Sequence, residues 1–277
     1  MNFVEFARAN GLSISHLAEG KIIRCPTESK RNQKNGAYYF EGDFGWCMDW
    51  AVHDKPQIWV TDKIVNPEEI QRKIKQSQIK YNQERAKANA NAIKKATEIL
   101  HNCKQELSQY LASKGFPEMC FNMFFEDDKE PLLCVPMRID KKLAGMQLIK
   151  PDGSKKFIYG TNASLATFDI GLGENVFLCE GLATALSLQA ALNKTKIPHL
   201  IRVCFSAGNM LKVSKLHKNP YLVCDNDLSG TGQKVGIDSG CRYYLPESPG
   251  DDLNDEHLKH GLFYISQKLM KMFYTRL

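Results

Sequence analysis

From Glu68 to about Leu111 the apolar positions thin out. They recur at Ile70, Ile74, Ile79, Ile93, Ile99 and Leu100, with no glycine or proline between 68 and 111. That spacing predicts one long, mostly exposed helix. Ahead of it, residues 21–25, 36–40, 45–49 and 58–60 are short apolar or alternating runs parted by Asn, Gly, Asp and Pro. They predict the strands of a small antiparallel module, with short helices expected over 2–10 and 13–19. Beyond the helix, 132–138, 145–149 and 156–159 read as strands. Pro151-Asp152-Gly153 marks a turn, because proline fixes φ and glycine takes a positive φ. After Gly173 the pattern changes again. Apolar runs at 175–179, 200–205, 220–224 and 242–245 alternate with helical segments at 182–192, 211–216, 230–240 and 257–273. Such alternation predicts an α/β domain, a parallel sheet with helices on both faces. The expected organisation is a small α+β module (1–66), a basic helical linker (67–111), a β-rich subdomain (112–174) and an α/β domain (175–277).

Composition changes this picture little. A chain of 277 residues has room for a real core. The net charge of +6 is mild and fits a surplus of solvated lysines as well as an acidic partner. The helical stretch 67–101 is locally more basic, with eight Lys/Arg against four Asp/Glu, so it reads either as a solvated linker or as a helix lying against phosphates. Nine cysteines, an odd number with no CxxC pair, read as buried thiols in a reducing compartment and do not support a zinc ribbon. No apolar run is long enough to span a membrane, and a cytoplasmic protein is expected, nucleoid-associated if it binds DNA.

The chemistry lies at the strand ends. Ligands of a parallel α/β sheet sit beyond its carboxyl ends. One apolar run stops at Glu180-Gly181 and another at Asp225-Asn226-Asp227. Asp225 and Asp227, two residues apart, point to one side if the chain is extended. With Glu180 they form an all-oxygen donor set that suits Mg²⁺ or Mn²⁺. Asp251 and Asp252, after the last strand, reach the same edge or else begin a helix. Lys155 and Lys156 could stabilise phosphate charge, or simply decorate a hairpin. Lys234 could reach a phosphate too, although a surface lysine at a helix start is the plainer reading. The Gly230-Thr231-Gly232-Gln233-Lys234 stretch is not a P-loop.

Taken together, Glu180-Gly181, the Asp225/Asp227 pair and the glycine turn 228–232 resemble the Toprim domain shared by bacterial-type primases, type IA and II topoisomerases and some nucleases. The block 132–138, then Gly145-Met146-Gln147, then 153–158, resembles the segment that precedes Toprim in primases. The form 180–188 is similar to that of phage- and plasmid-encoded primases. The resemblance covers about 105–260. It implies a Toprim-like sheet preceded by a primase-type β subdomain, with Glu180 as general acid/base or indirect metal ligand. It further implies Asp225, Asp227 and Asp251 or Asp252 at the metal, and Lys156 on phosphates, with Arg138 and Lys155 in the same block. Two departures stand out. Thr184 replaces an acid of cellular primases, and Gln147-Leu148 stand where those enzymes carry an arginine.

The implied activity is DNA-primase nucleotidyl transfer in phage or plasmid replication. The partners would be a single-stranded DNA template, nucleoside triphosphates and a separate replicative helicase, at the replication fork of a bacterial host, with no membrane. The alternatives are a Toprim nuclease and a non-catalytic Toprim-fold binding or inhibitory module. In the first module, Lys21, Arg24, Lys30, Arg31 and Lys34 lie near Tyr38, Tyr39, Trp46 and Trp50. This mixture suits either single-stranded DNA or a small core with a charged rim. No histidine pairs in sequence with a plausible nucleophile, so a hydrolase triad is not expected.

Overall fold

Fourteen strands build three separate sheets among the described residues. The computed structural model describes residues 1–28, 31, 34–49, 52–53, 55–61 and 66–274. Among these the fold is mixed α/β, with seven helices. Contacts divide the chain into two units, 1–87 and 88–277.

In the first unit, β1 (Ile22–Cys25), β2 (Gly36–Glu41), β3 (Phe44–Asp49) and β4 (Gln57–Val60) pair antiparallel in chain order. Helix α1 (Phe3–Ala9) opens with a capping box between Asn2 and Glu5 and packs Phe3 and Ala7 against Cys25, Tyr38 and Cys47. Tyr39 and Phe44, in a separate cluster, pack with Ile74 of α2 (Pro67–Asn102). The helix expected over 13–19 does not form. Its backbone groups are taken by tertiary bonds instead: Ser13 N–H donates to Pro26 C=O (2.9 Å) and Ala18 N–H to the Tyr38 hydroxyl (3.1 Å). Tyr38 and Tyr39 are buried and Trp46 is half-buried. Tyr38 and Tyr39 therefore belong to the core of the module. Lys30 and Trp50 lie outside the described residues.

In the second unit, α2 ends at Asn102 rather than running to 111. Strands β5 (Lys104–Leu107), β6 (Cys120–Phe124), β7 (Leu132–Ile139), β8 (Lys142–Ile149) and β9 (Lys155–Phe157) form an antiparallel sheet in chain order, with α3 (Gln109–Ser113) between the first two. Ala92, Ala96 and Ile99 of α2 pack on one face, against Cys134, Met146 and Leu148. This half of α2 is thus a core helix and not an exposed one. Its i, i+4, i+7 stripe is faint in the sequence because two of its three members are alanines.

The third sheet runs β10-β12-β11-β13-β14, from β10 (Phe168–Gly171), β11 (Asn175–Cys179), β12 (His199–Val203), β13 (Tyr221–Val223) and β14 (Arg242–Tyr244). All neighbours are parallel except β10, an antiparallel edge on β12. Phe177 and Cys179 face α4 (Leu182–Thr195) and α7 (Leu253–Tyr274). Leu178, one residue out of phase, faces α5 (Ala207–Ser214) and α6 (Thr231–Ser239). Leu182, Ala183 and Leu186 of α4 also pack on Leu133, Val135 and Ile149 of the second sheet. The β-rich and α/β segments therefore share a core. β10, at 168–171, belongs to the α/β sheet although it lies before the boundary expected at 174. All nine cysteines are free thiols, six of them buried. No helix among the described residues is long and apolar enough to cross a membrane.

A buried polar contact fastens α4 to α7. Asn254 Nδ2 donates to Ser187 Oγ (3.0 Å) and to Lys114 C=O (2.8 Å), and Ser187 Oγ lies 3.0 Å from His257 Nδ1. One histidine meets a hydroxyl within this contact. Ser187 is fully buried, however, so the pair is structural. Ser187 Oγ and His257 Nδ1 share a hydrogen bond that a neutral imidazole can make. Burial lowers the His257 pKa. The stability this neutral form contributes is complete above the ordinary histidine pKa and lost as pH falls through the lower folded value. Urea unfolding should show a loss of stability between pH 7 and pH 5 that shrinks in His257→Gln. An unchanged pH dependence in that variant would remove His257 from the account.

Candidate acidic site at the carboxyl edge of the parallel sheet

Parallel pairing brings the carboxyl ends of β11, β12, β13 and β14 to one edge, where α4, α5, α6 and α7 begin. Neighbours β11 and β13 feed helices on opposite faces, α4 and α6. An open α/β sheet leaves its crevice at such a divergence. Glu180 follows β11 and Asp225 follows β13, so both stand at that point. The helix N-termini around them add positive potential.

Asp225 is the most perturbed acid. Burial first, then the charges of Glu180 and Asp252, push its pKa up to about 7, with Lys155 pulling the other way. Its Oδ1 is buried without a hydrogen-bond partner among the described residues. Glu180 is half-buried and its pKa is also raised, by burial and then by the Asp227 charge, against an N–H bond from Ala207 and the Lys155 charge. Phe205, in the left-handed region at φ 66°, donates its N–H to Glu180 C=O (2.9 Å) and so ties the exits of β11 and β12 together.

Asp227 does not share Asp225's orientation. The strand β13 stops at Val223, so the period-two argument does not reach this far. The chain turns, and the Asp227 carboxylate caps α6. Oδ1 accepts from Ser229 N–H (2.8 Å), the Ser229 hydroxyl and Thr231 N–H (3.4 Å), while Oδ2 accepts from Gly232 N–H (3.0 Å). Those bonds, led by Ser229, lower its pKa. It still acts on Glu180 and Asp225 through space.

Of the later acids, Asp252 is the one coupled to Asp225. It also begins α7, exchanging N–H bonds with Asp255 (2.9 and 3.1 Å). Asp251 is engaged elsewhere, with both carboxylate oxygens 2.6 Å from Lys259 Nζ. Asn226, which sequence reasoning passed over, locks the two acidic loops together. Its N–H donates to Asp251 C=O (2.9 Å), its C=O accepts from Gly250 N–H (2.6 Å), and its side chain donates to Pro246 C=O (2.9 Å). Its place between two aspartates in a strand-ending loop was the available signal.

The two hairpin lysines part company. In β9, Lys155 pairs with Ile149, whose side chain is in the core shared with α4, and Lys156 with Leu148, whose side chain meets α2. Directly opposed residues share a face. Lys155 therefore faces the acids and Lys156 does not. Lys155 is exposed as a residue, and its ammonium lies 5.7 Å from the Tyr110 ring centre. Enclosure of that ammonium lowers its pKa, opposed by the charges of Asp252, Asp225 and Glu180. Tyr110, also missed in the sequence, keeps a buried hydroxyl without a hydrogen-bond partner, and burial and the Asp252 charge raise its pKa. Arg138 is exposed and donates to Lys141 C=O (3.2 Å) in its own hairpin, and Lys234 is exposed on α6. Thr184 is buried.

The acids are coupled through space yet not gathered. Among the described residues, no group of three or more His, Cys, Asp or Glu side chains is close enough to hold an ion. A metal nonetheless fits the chemistry. The donors are oxygens only, Asp225 Oδ1 is unpartnered, and a raised carboxylate pKa is what an added cation would reverse. No known protein-family model matches the chain, and no curated protein matches it.

Proposed function

We propose that the chain is a DNA primase of Toprim type, a metal-dependent nucleotidyltransferase that makes short primers on single-stranded DNA in phage or plasmid replication, beside a separate helicase. The observation that carries this reading is the buried Asp225 Oδ1, without a hydrogen-bond partner among the described residues, at the divergence of a parallel sheet and within the charge field of Glu180, Asp252 and Lys155. Its use for priming draws further on the resemblance of the block around Pro136 and 153–158.

Asp225 and Asp252, with the remaining lone pair of Asp227 Oδ2, would hold Mg²⁺ or Mn²⁺. When bound, such an ion lowers the pKa of an attacking hydroxyl and neutralises leaving pyrophosphate. Lys155 orients the α-phosphate and offsets charge developing on it. Glu180, whose pKa is raised by burial, holds or accepts a proton at its carboxyl more readily than an exposed glutamate does.

The test is primer synthesis from nucleoside triphosphates on mixed single-stranded templates, with Mg²⁺ or Mn²⁺. Wild type should make short products and Asp225→Ala/Asp227→Ala none. Metal-dependent cutting of the template instead would favour a nuclease. No product from wild type, where another primase works, would sink the proposal. The lysines give a sharper comparison. Lys155→Gln should lower the rate about a hundredfold and shift the acidic limb of the pH profile upward, because Lys155 holds the Asp225 pKa down. Lys156→Gln should change neither by more than about threefold, ~0.7 kcal/mol. Equal losses from both variants would contradict the facing derived from β9.

A further inference from the structure

On the face of the second sheet away from the acids lies a cavity of about 680 Å³, between the C-terminal half of α2 and strands β6 to β9. We propose that it is a second ligand site, for a small anion with a flat apolar body, of the nucleoside monophosphate class. Neither the site nor its ligand depends on the priming reaction proposed above.

The lining argues for both halves of such a ligand. Ile99, Phe124, Leu132 and Leu148 supply apolar surface, including one aromatic ring. The volume is within the range of small-molecule pockets, roughly 300–1,000 Å³. Four lysines and three glutamates also line it. Two of those lysines are matched within the lining: Lys129 Nζ is 2.5 Å from Glu126 and Lys150 Nζ is 3.2 Å from Glu130. Lys95 and Lys156 form no ion pair among the described residues, and both line this one cavity. Two ammoniums beside an apolar wall suit one phosphate attached to a ring. The seventh charged residue, Glu98, can accept an amino or ring N–H. A charge excess of one over the whole lining, four lysines less three glutamates, favours a monophosphate over a polyphosphate. Lys156, drawn into the phosphate chemistry of the acidic site by sequence resemblance, belongs here.

Isothermal titration of the whole chain with AMP in EDTA tests this, since chelation removes any divalent-metal route through the acids. AMP should bind once per chain. Adenosine alone and inorganic phosphate alone should each bind at least about tenfold more weakly, ~1.4 kcal/mol. Lys95→Glu/Lys156→Glu should abolish binding, and the milder Lys95→Gln/Lys156→Gln should weaken it about tenfold with an unchanged melting temperature. Asp225→Asn should bind as wild type does. The proposal is overturned if AMP does not bind in EDTA, if either fragment matches it, if the glutamine variant binds with wild-type affinity, or if Asp225→Asn abolishes binding.

Discussion

Asp225→Asn is expected to abolish primer synthesis while making the metal-free protein more stable at pH 8. The activity loss should reach about a thousandfold, ~4 kcal/mol of transition-state stabilisation, because the substitution replaces the one acidic oxygen that is buried and unpartnered among the described residues. The stability gain follows from the same burial. The folded-state pKa of about 7 lies above the ordinary aspartate value of 3.8. The neutral carboxyl therefore contributes stability that is complete below the unfolded value and is lost as pH rises through 7. Asparagine stays neutral throughout. The variant and wild type should unfold alike in urea near pH 4 and diverge by ~4 kcal/mol at pH 8 in EDTA. Saturating Mg²⁺ should narrow that gap by stabilising wild type selectively. If the variant is no more stable than wild type at pH 8, Asp225 is not a strained acid. If it keeps full activity, the site is not catalytic.

Gly232→Ala should be the most damaging single-methyl change in the sheet's carboxyl edge. A Cβ on Gly232 would fall onto the Asp225 carbonyl oxygen, far inside contact distance, with the Asp225 carbonyl carbon and N next nearest. All three are backbone atoms, and α6 cannot retreat without breaking the Gly232 N–H bond to Asp227 Oδ2. A loss of roughly 3 kcal/mol or more is expected, with activity falling alongside because both acids move. Gly230→Ala is the control. Gly230 has φ 69° but nothing within 4 Å of its added Cβ, so only the left-handed backbone is strained, at about 1 kcal/mol. Equal melting temperatures for the two variants would show that α6 does not press on Asp225.

Much of the α/β half is legible in the residue pattern alone. The runs ending at Cys179 and Cys224 are buried strands followed by carboxylates, and a strand buried on both faces needs only an unbroken apolar stretch to announce itself. The second half of α2 is less legible. Ala92 and Ala96 bury completely but carry too little apolar surface to stand out among lysines and asparagines. β10 escapes notice because it is an edge strand of alternating exposure, which a four-residue window does not separate from a loop.

At the site, the sequence by itself determined which acids end the strands, because hydrophobic periodicity shows where a strand must stop and a charge must begin. It could not determine where those acids point. Asp225 and Asp227 diverge because the strand ends two residues before the first of them and a helix cap claims the second. Asp252 joins Asp225 while Asp251 turns to Lys259, a choice between adjacent residues made by a helix start and an ion pair eight positions away. Lys155 and Lys156 are separated by the pairing register of a three-residue strand. Each of these is decided by where a strand stops, which nearby donor claims a carboxylate and how a short hairpin registers, and the order of apolar and charged residues does not rank those competing partners.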